Sequence, residues 1–192
     1  MKSIKKINNL ISKYTKYTFA TNLFMFIVKI VLFLLTKSFS FLIYSFYTLC
    51  IGLTKKNIFF NKKGKYTIVG ILLLISSFLF INYSIFVMKA HYIANYSMYV
   101  GIAIAAVTFY DIILAIYGIV KAHKNNDKQS KVYKLTNLAT AIISLELTQT
   151  AILSFTNVGT DLSFYNGMGG IVFGIASLII SAIVISIGIK DN

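Results

Sequence analysis

Four apolar runs, at residues 66–88, 94–120, 135–156 and 167–189, decide what this chain can become. An α-helix rises 1.5 Å per residue and a bilayer core is about 30 Å thick, so roughly 20 apolar residues are enough to cross it. Each run reaches that length, and the chain contains no proline to interrupt one. Hydrocarbon supplies no water to unpaired amides, so such runs must satisfy their backbone internally as helices. The expected fold is all-α, a polytopic transmembrane helix bundle.

The charge follows the same logic. Of 192 residues, 57% are hydrophobic and 12% charged, and the net charge of +14 comes from 19 lysines against five acids, with no arginine. Nucleic-acid sites lean on arginine forks and stacking aromatics in a folded polar module, and no polar stretch here is long enough to build one. The basic balance therefore points to the bilayer and its anionic inner-leaflet lipids, and away from nucleic acid.

Lysine placement orients the runs, because cytoplasmic loops retain positive charge during insertion. Lys55, Lys56, Lys62, Lys63 and Lys65 follow the first apolar stretch, and Lys121, Lys124, Lys128, Lys131 and Lys134 separate the third and fourth. Both connections are expected in the cytoplasm, and so is the C-terminus. The opposite connections carry Lys89 with His91 in one case and Asp161 in the other.

Residues 1–18 read as a basic amphipathic interfacial helix. At 100° per residue Lys2, Lys5, Lys6, Lys13 and Lys16 share a sector with Asn9, while Ile4, Ile7, Leu10, Ile11 and Tyr14 fill the other side. Such a helix lies in an anionic leaflet, gaining about 1 kcal/mol per lysine. A cytoplasmic N-terminus follows. The run after it is too long for a cleaved secretory signal and carries Lys29.

That run, residues 19–54, carries Lys29 and Lys37 and leaves three paths open. It crosses twice in short helices, crosses once against the charge rule, or bends near residues 38–40 as a re-entrant or in-plane segment. A long, tilted or broken first segment is the preferred expectation. With no linker elsewhere, residues 19–192 are expected to form a single transmembrane domain.

Intramembrane carboxylates are costly, so they usually face a bundle interior or a water-filled path. Two exist. Asp111 shares a helical sector with Ser97, Gly101, Thr108, Ala115 and Gly118, so it is expected to point at neighbouring helices. Glu146 has Gln149 and Thr150 at i+3 and i+4, within reach of shared hydrogen bonds. Asn137, Thr140, Ser144 and Thr148 form a second polar stripe, and a helix polar on two faces belongs at a bundle's centre. Asp111, Glu146, Gln149, Thr150 and Lys29 are the candidate polar site for a proton, a cation or a small polar ligand. The competing reading is structural, with hydroxyls and carboxylates acting as interhelical glue.

Gly167, Gly170, Gly174, Ser177 and Ser181 make a small-residue packing face on the last run, continued by Gly188, and Gly70, Ser77 and Ser84 make a heptad stripe on the second. Small residues let helix backbones approach closely. Signatures of catalysis are missing: there is no HExxH, GxSxG or phosphate loop, and His91 and His123 are expected on opposite sides of the membrane. Cys50 is the single cysteine, so no disulfide, metal centre or cofactor site is expected.

SFSFLIYSFYTLCIGLTKK at 38–56, MYVGIAIAAVTFYDIILAIYGIVKAHK at 98–124 and KLTNLATAIISLELTQTAILSF at 134–155 resemble an uncharacterised group of small integral membrane proteins of low-GC Gram-positive bacteria. The resemblance implies about five spans in a bacterial cell membrane and no particular mechanism. Two functions stay open. One is a non-enzymatic membrane protein of accessory, immunity or stress type, acting through a membrane partner or its own copies. The other is a small transporter or channel component using the polar site.

Overall fold

The computed structural model describes residues 19–20, 22–24, 26–27, 30–31, 34, 39–58, 65–90 and 96–191. They form five long helices: α1 (Phe39–Ile58), α2 (Lys65–Ala90), α3 (Met98–Lys124), α4 (Lys128–Thr156) and α5 (Ser163–Ile189). No strand occurs among the described residues. The protein is all-helical, and α2 to α5 each contain a stretch long and apolar enough to cross a membrane.

The helix ends follow local chemistry more than hydropathy. The fourth apolar run begins at Leu135, yet α4 begins at Lys128, because Asp127 accepts a 3.0 Å hydrogen bond from the Ser130 amide and caps the helix seven residues earlier than hydrophobicity requires. The turn from α3 is made at Asn126, whose φ of 50° is a left-handed value that asparagine tolerates. Asp161 likewise accepts from the Ser163 amide at 2.9 Å where α5 starts. At the same end of the bundle as Asp161, α3 begins at Met98 and not at residue 94.

Apolar side chains cover the outside of the bundle as well as its core of Val69, Leu73, Phe80, Ile143 and Val184, and small hydroxyl side chains are buried among them. Ile68, Ile71, Ile75 and Phe78 of α2 and Val172, Ile175, Ile179 and Ile183 of α5 are exposed, while Ser76, Ser77, Ser84, Ser177 and Ser181 are buried. Lipid tails are as apolar as leucine, so in hydrocarbon the tightest contacts come from small side chains. Those contacts are made by α2 and α5, which run antiparallel. Thr67 meets Gly188, Gly70 meets Ile185, Ile81 meets Gly174, and Met88 meets Gly167.

Helix α4 is central, packing on α5, α3 and α1 and touching α2. Its two polar stripes account for this position, as expected. Among the five helices α3 meets only α4, and 11% of its membrane-crossing window is buried, against 33–39% in the other three.

Described residues of the first apolar segment pack against α1. Described residues between 19 and 34 are helical, and Phe19 lies beneath the Lys56 ammonium, Asn22 beside Gly52, and Phe26 edge-on to Phe46 at 6.4 Å. Ascending from 19 to 26, the partners descend from 56 to 46, so this stretch is antiparallel to α1. The path of the whole segment, residues 19–54, includes positions outside the described residues. The interfacial helix at 1–18, together with Lys29 and Lys37, falls outside the described residues.

Candidate intramembrane polar sites

Glu146 sits on the side of α4 that faces α2 and α5, where it is 5% exposed. Thr150, one turn later, donates its hydroxyl to Glu146 Oε1 at 3.0 Å. Across the interface a Cβ on Gly170 would stand 3.4 Å from the Glu146 Cγ and would collide with the Ser84 hydroxyl. A glycine at 170 is thus what lets the Glu146 stem of α4 and the Ser84 hydroxyl of α2 both pack against α5 there. Ser84 itself donates to the Phe80 carbonyl at 2.9 Å, which uses its one proton and leaves its oxygen able only to accept.

Asn166 lies one turn before Gly170 on the buried face of α5, and its Oδ1 is buried with no hydrogen-bond partner. Ser84 brings a second helix to the Glu146 neighbourhood at Gly170, and Asn166 adds a buried amide one turn away on α5. Ser84 was legible as part of the α2 stripe. Asn166 escaped notice because the fifth run begins at Gly167, and its i−4 relation to Gly170 was the available signal.

Gln149 does not join this group. Its amide donates to the Tyr165 carbonyl at 2.8 Å, and a side chain at Gly169 would overlap it. The i+3 position turns Gln149 along the α4–α5 interface and away from the carboxylate, so only the i+4 residue of the expected pair binds Glu146.

The second stripe of α4 faces α3. Thr148 donates to Thr108 at 3.1 Å, the Phe155 ring covers Gly101, and the Lys134 stem lies against Gly118. Asn137 and Ser144 fall on the same heptad face as Lys134, Thr148 and Phe155 and are half-buried. Thr140 and Ser144 return their hydroxyls to backbone carbonyls one turn back, at 2.9 and 3.1 Å.

Asp111 corrects the expectation made for it. Gly101, Thr108 and Ala115 are buried against α4, but Asp111 is exposed. The buried stripe of α3 recurs every seven residues, and Asp111 is three residues past Thr108, which rotates it to the flank of the seam. Among the described residues it makes no hydrogen bond or ion pair. Asp111 and Glu146 therefore do not form one site: α4 separates a buried carboxylate on its α2–α5 side from an uncovered one beside its α3 side.

Among the described residues no group of three or more His, Cys, Asp or Glu side chains is placed to hold a metal ion. The fold and these sites define an all-helical protein with four helices long and apolar enough to cross a membrane and a carboxylate on each side of the central one. Comparison with protein-family profiles, curated proteins and solved structures finds no match to the chain.

Proposed function

We propose that this chain is a non-enzymatic, multi-pass protein of a bacterial cell membrane, acting through helix–helix contacts inside the bilayer as an accessory, immunity or stress-type protein. One observation carries this reading: α3 is attached along a single seam, and its outward surface, with Asp111 at its edge, is uncovered. The small-residue faces of α2 and α5 are already consumed within the chain, so they support no dimer. The surface left for a partner is α3.

The lysine distribution supports a cytoplasmic placement of the α3–α4 turn and the C-terminus, beside anionic lipid headgroups. The resemblance to small membrane proteins of low-GC Gram-positive bacteria belongs with this proposal.

Photo-crosslinking in native membranes tests it. A benzophenone amino acid at Tyr110 or Ile113, both exposed on α3, is expected to give a discrete protein adduct, whereas the same probe at Ile179 of α5 labels lipid. No adduct from α3, or equal adducts from α3 and α5, overturns the reading.

The transporter-component reading keeps one supporting observation, a buried Glu146 hydrogen-bonded by Thr150 and packed with Ser84 against Gly170. In that case Glu146→Gln abolishes uptake with assembly intact, and Asp111→Asn does not.

A further inference from the structure

Asp111 is as far in sequence from Met98 as from Lys124, the two ends of α3. At 1.5 Å per residue this puts its carboxylate at the centre of a hydrocarbon core about 30 Å thick. Lysine can reach the interface from some depth along a four-carbon stem, but an aspartate with one methylene cannot. Hydroxyls nearby have found partners within the chain, as Thr148 has in Thr108, while the carboxyl group remains exposed between Tyr110 and Leu114. A carboxylate in this position requires either a proton or a cation, and a residue placed there without a partner carries a cost at every insertion.

Resting on the reading that α3 binds a membrane partner, we infer that the partner is a transmembrane helix of a different protein carrying a lysine or arginine at mid-depth, which docks along α3 and pairs with Asp111. Charge complementarity selects this occupant. The lysines of α1 to α5 all lie at or within two turns of a helix end: Lys55 and Lys56, Lys65 and Lys89, Lys121 and Lys124, and Lys128, Lys131 and Lys134. A second copy packing through these helices would bring no cation to mid-depth and would set one Asp111 against another.

The test uses the full-length protein in phosphatidylcholine vesicles, with Cys50→Ser and a donor fluorophore on Lys124→Cys. The probes are acceptor-labelled leucine-rich helical peptides of about 20 residues carrying either lysine or leucine at the centre. The lysine peptide is expected to associate about tenfold more tightly than the leucine peptide. Asp111→Leu abolishes this preference without lowering the thermal unfolding temperature, and Asp111→Glu retains it. Equal association of the two peptides, or a preference that survives Asp111→Leu, overturns the inference. So does a self-associated form that excludes the lysine peptide and is lost in Lys29→Leu. If α3 still gives its native-membrane adduct while the peptides show no preference, only the cationic partner is lost. If the adduct is absent as well, the broader reading falls with it.

Discussion

Ser77 of α2 and Ser177 of α5 share a hydrogen bond of 2.7 Å at positions where both residues are fully buried. Ser77 also approaches the Leu73 carbonyl at 2.9 Å. When its single proton goes there, Ser177 is the donor across the interface. The bond marks where two helices approach closely enough for side chains of one carbon and one oxygen to meet. Replacing each serine by alanine, singly and together, is expected to reveal a coupling of about 0.6 kcal/mol, with about 1.7 kcal/mol as the upper end. Unfolding in mixed micelles measures it, and strict additivity would mean that the bond contributes nothing.

The same interface predicts unequal glycine substitutions. A Cβ at Gly188 would run into the backbone nitrogen of Thr67, with the Thr67 Cα 2.9 Å away, so the helices themselves must separate. At Gly174 the obstacle is the side chain of half-buried Ile81, which can turn aside. Gly188→Ala is expected to cost about 1–3 kcal/mol, as overpacking does, and Gly174→Ala less. Thermal unfolding of the two variants in one detergent gives the order.

Asp111→Leu separates insertion from assembly. On insertion scales aspartate at a helix centre costs about 2.5–3.5 kcal/mol and leucine is favourable by about 0.3–0.6 kcal/mol, so the isolated α3 segment is expected to insert more readily after the change. Glycosylation mapping reads the inserted fraction. The bundle's own unfolding should change little, because the described residues give this carboxylate no bond to lose.

Glu146 should respond to shape and to hydrogen-bonding capacity. Glu146→Gln keeps an oxygen for the Thr150 hydroxyl and nearly the same volume, and is expected to shift stability by less than about 1 kcal/mol. Glu146→Ala removes the acceptor and opens a gap beneath Ser84 and Gly170, for a cost of about 2–4 kcal/mol. Denaturation of both variants against the parent decides between packing and charge as the reason for a glutamate here.

At the lysine-rich edge, two aspartates should differ. Asp127 caps α4 through the Ser130 amide, and Asp127→Ala is expected to cost about 1 kcal/mol. Asp191 pairs with Lys128 at 2.8 Å, but the two side chains are 36% and 59% exposed. Asp191→Asn should therefore cost a few tenths of a kcal/mol and lose even that in high salt. Melting curves at low and high ionic strength test both.

The helices and their number beyond the first segment were legible in the chain, because hydrocarbon leaves a long apolar run no alternative to a helix. The stripe on α5 and the two polar faces of α4 were equally readable, since side chains on a helix repeat with a known period. Periodicity states which residues share a face, but not what that face meets. Only the tertiary structure paired Gly167, Gly170, Gly174 and Gly188 of α5 with Met88, Ser84, Ile81 and Thr67 of α2, leaving none of the four for a dimer. It also packed Phe19, Asn22 and Phe26 antiparallel against α1 and placed Glu146 and Asp111 on different sides of α4. Asp111 was assigned to the correct sector and still fell on the uncovered flank. A helical wheel has no neighbours on it, and among the five described helices α3 meets only α4.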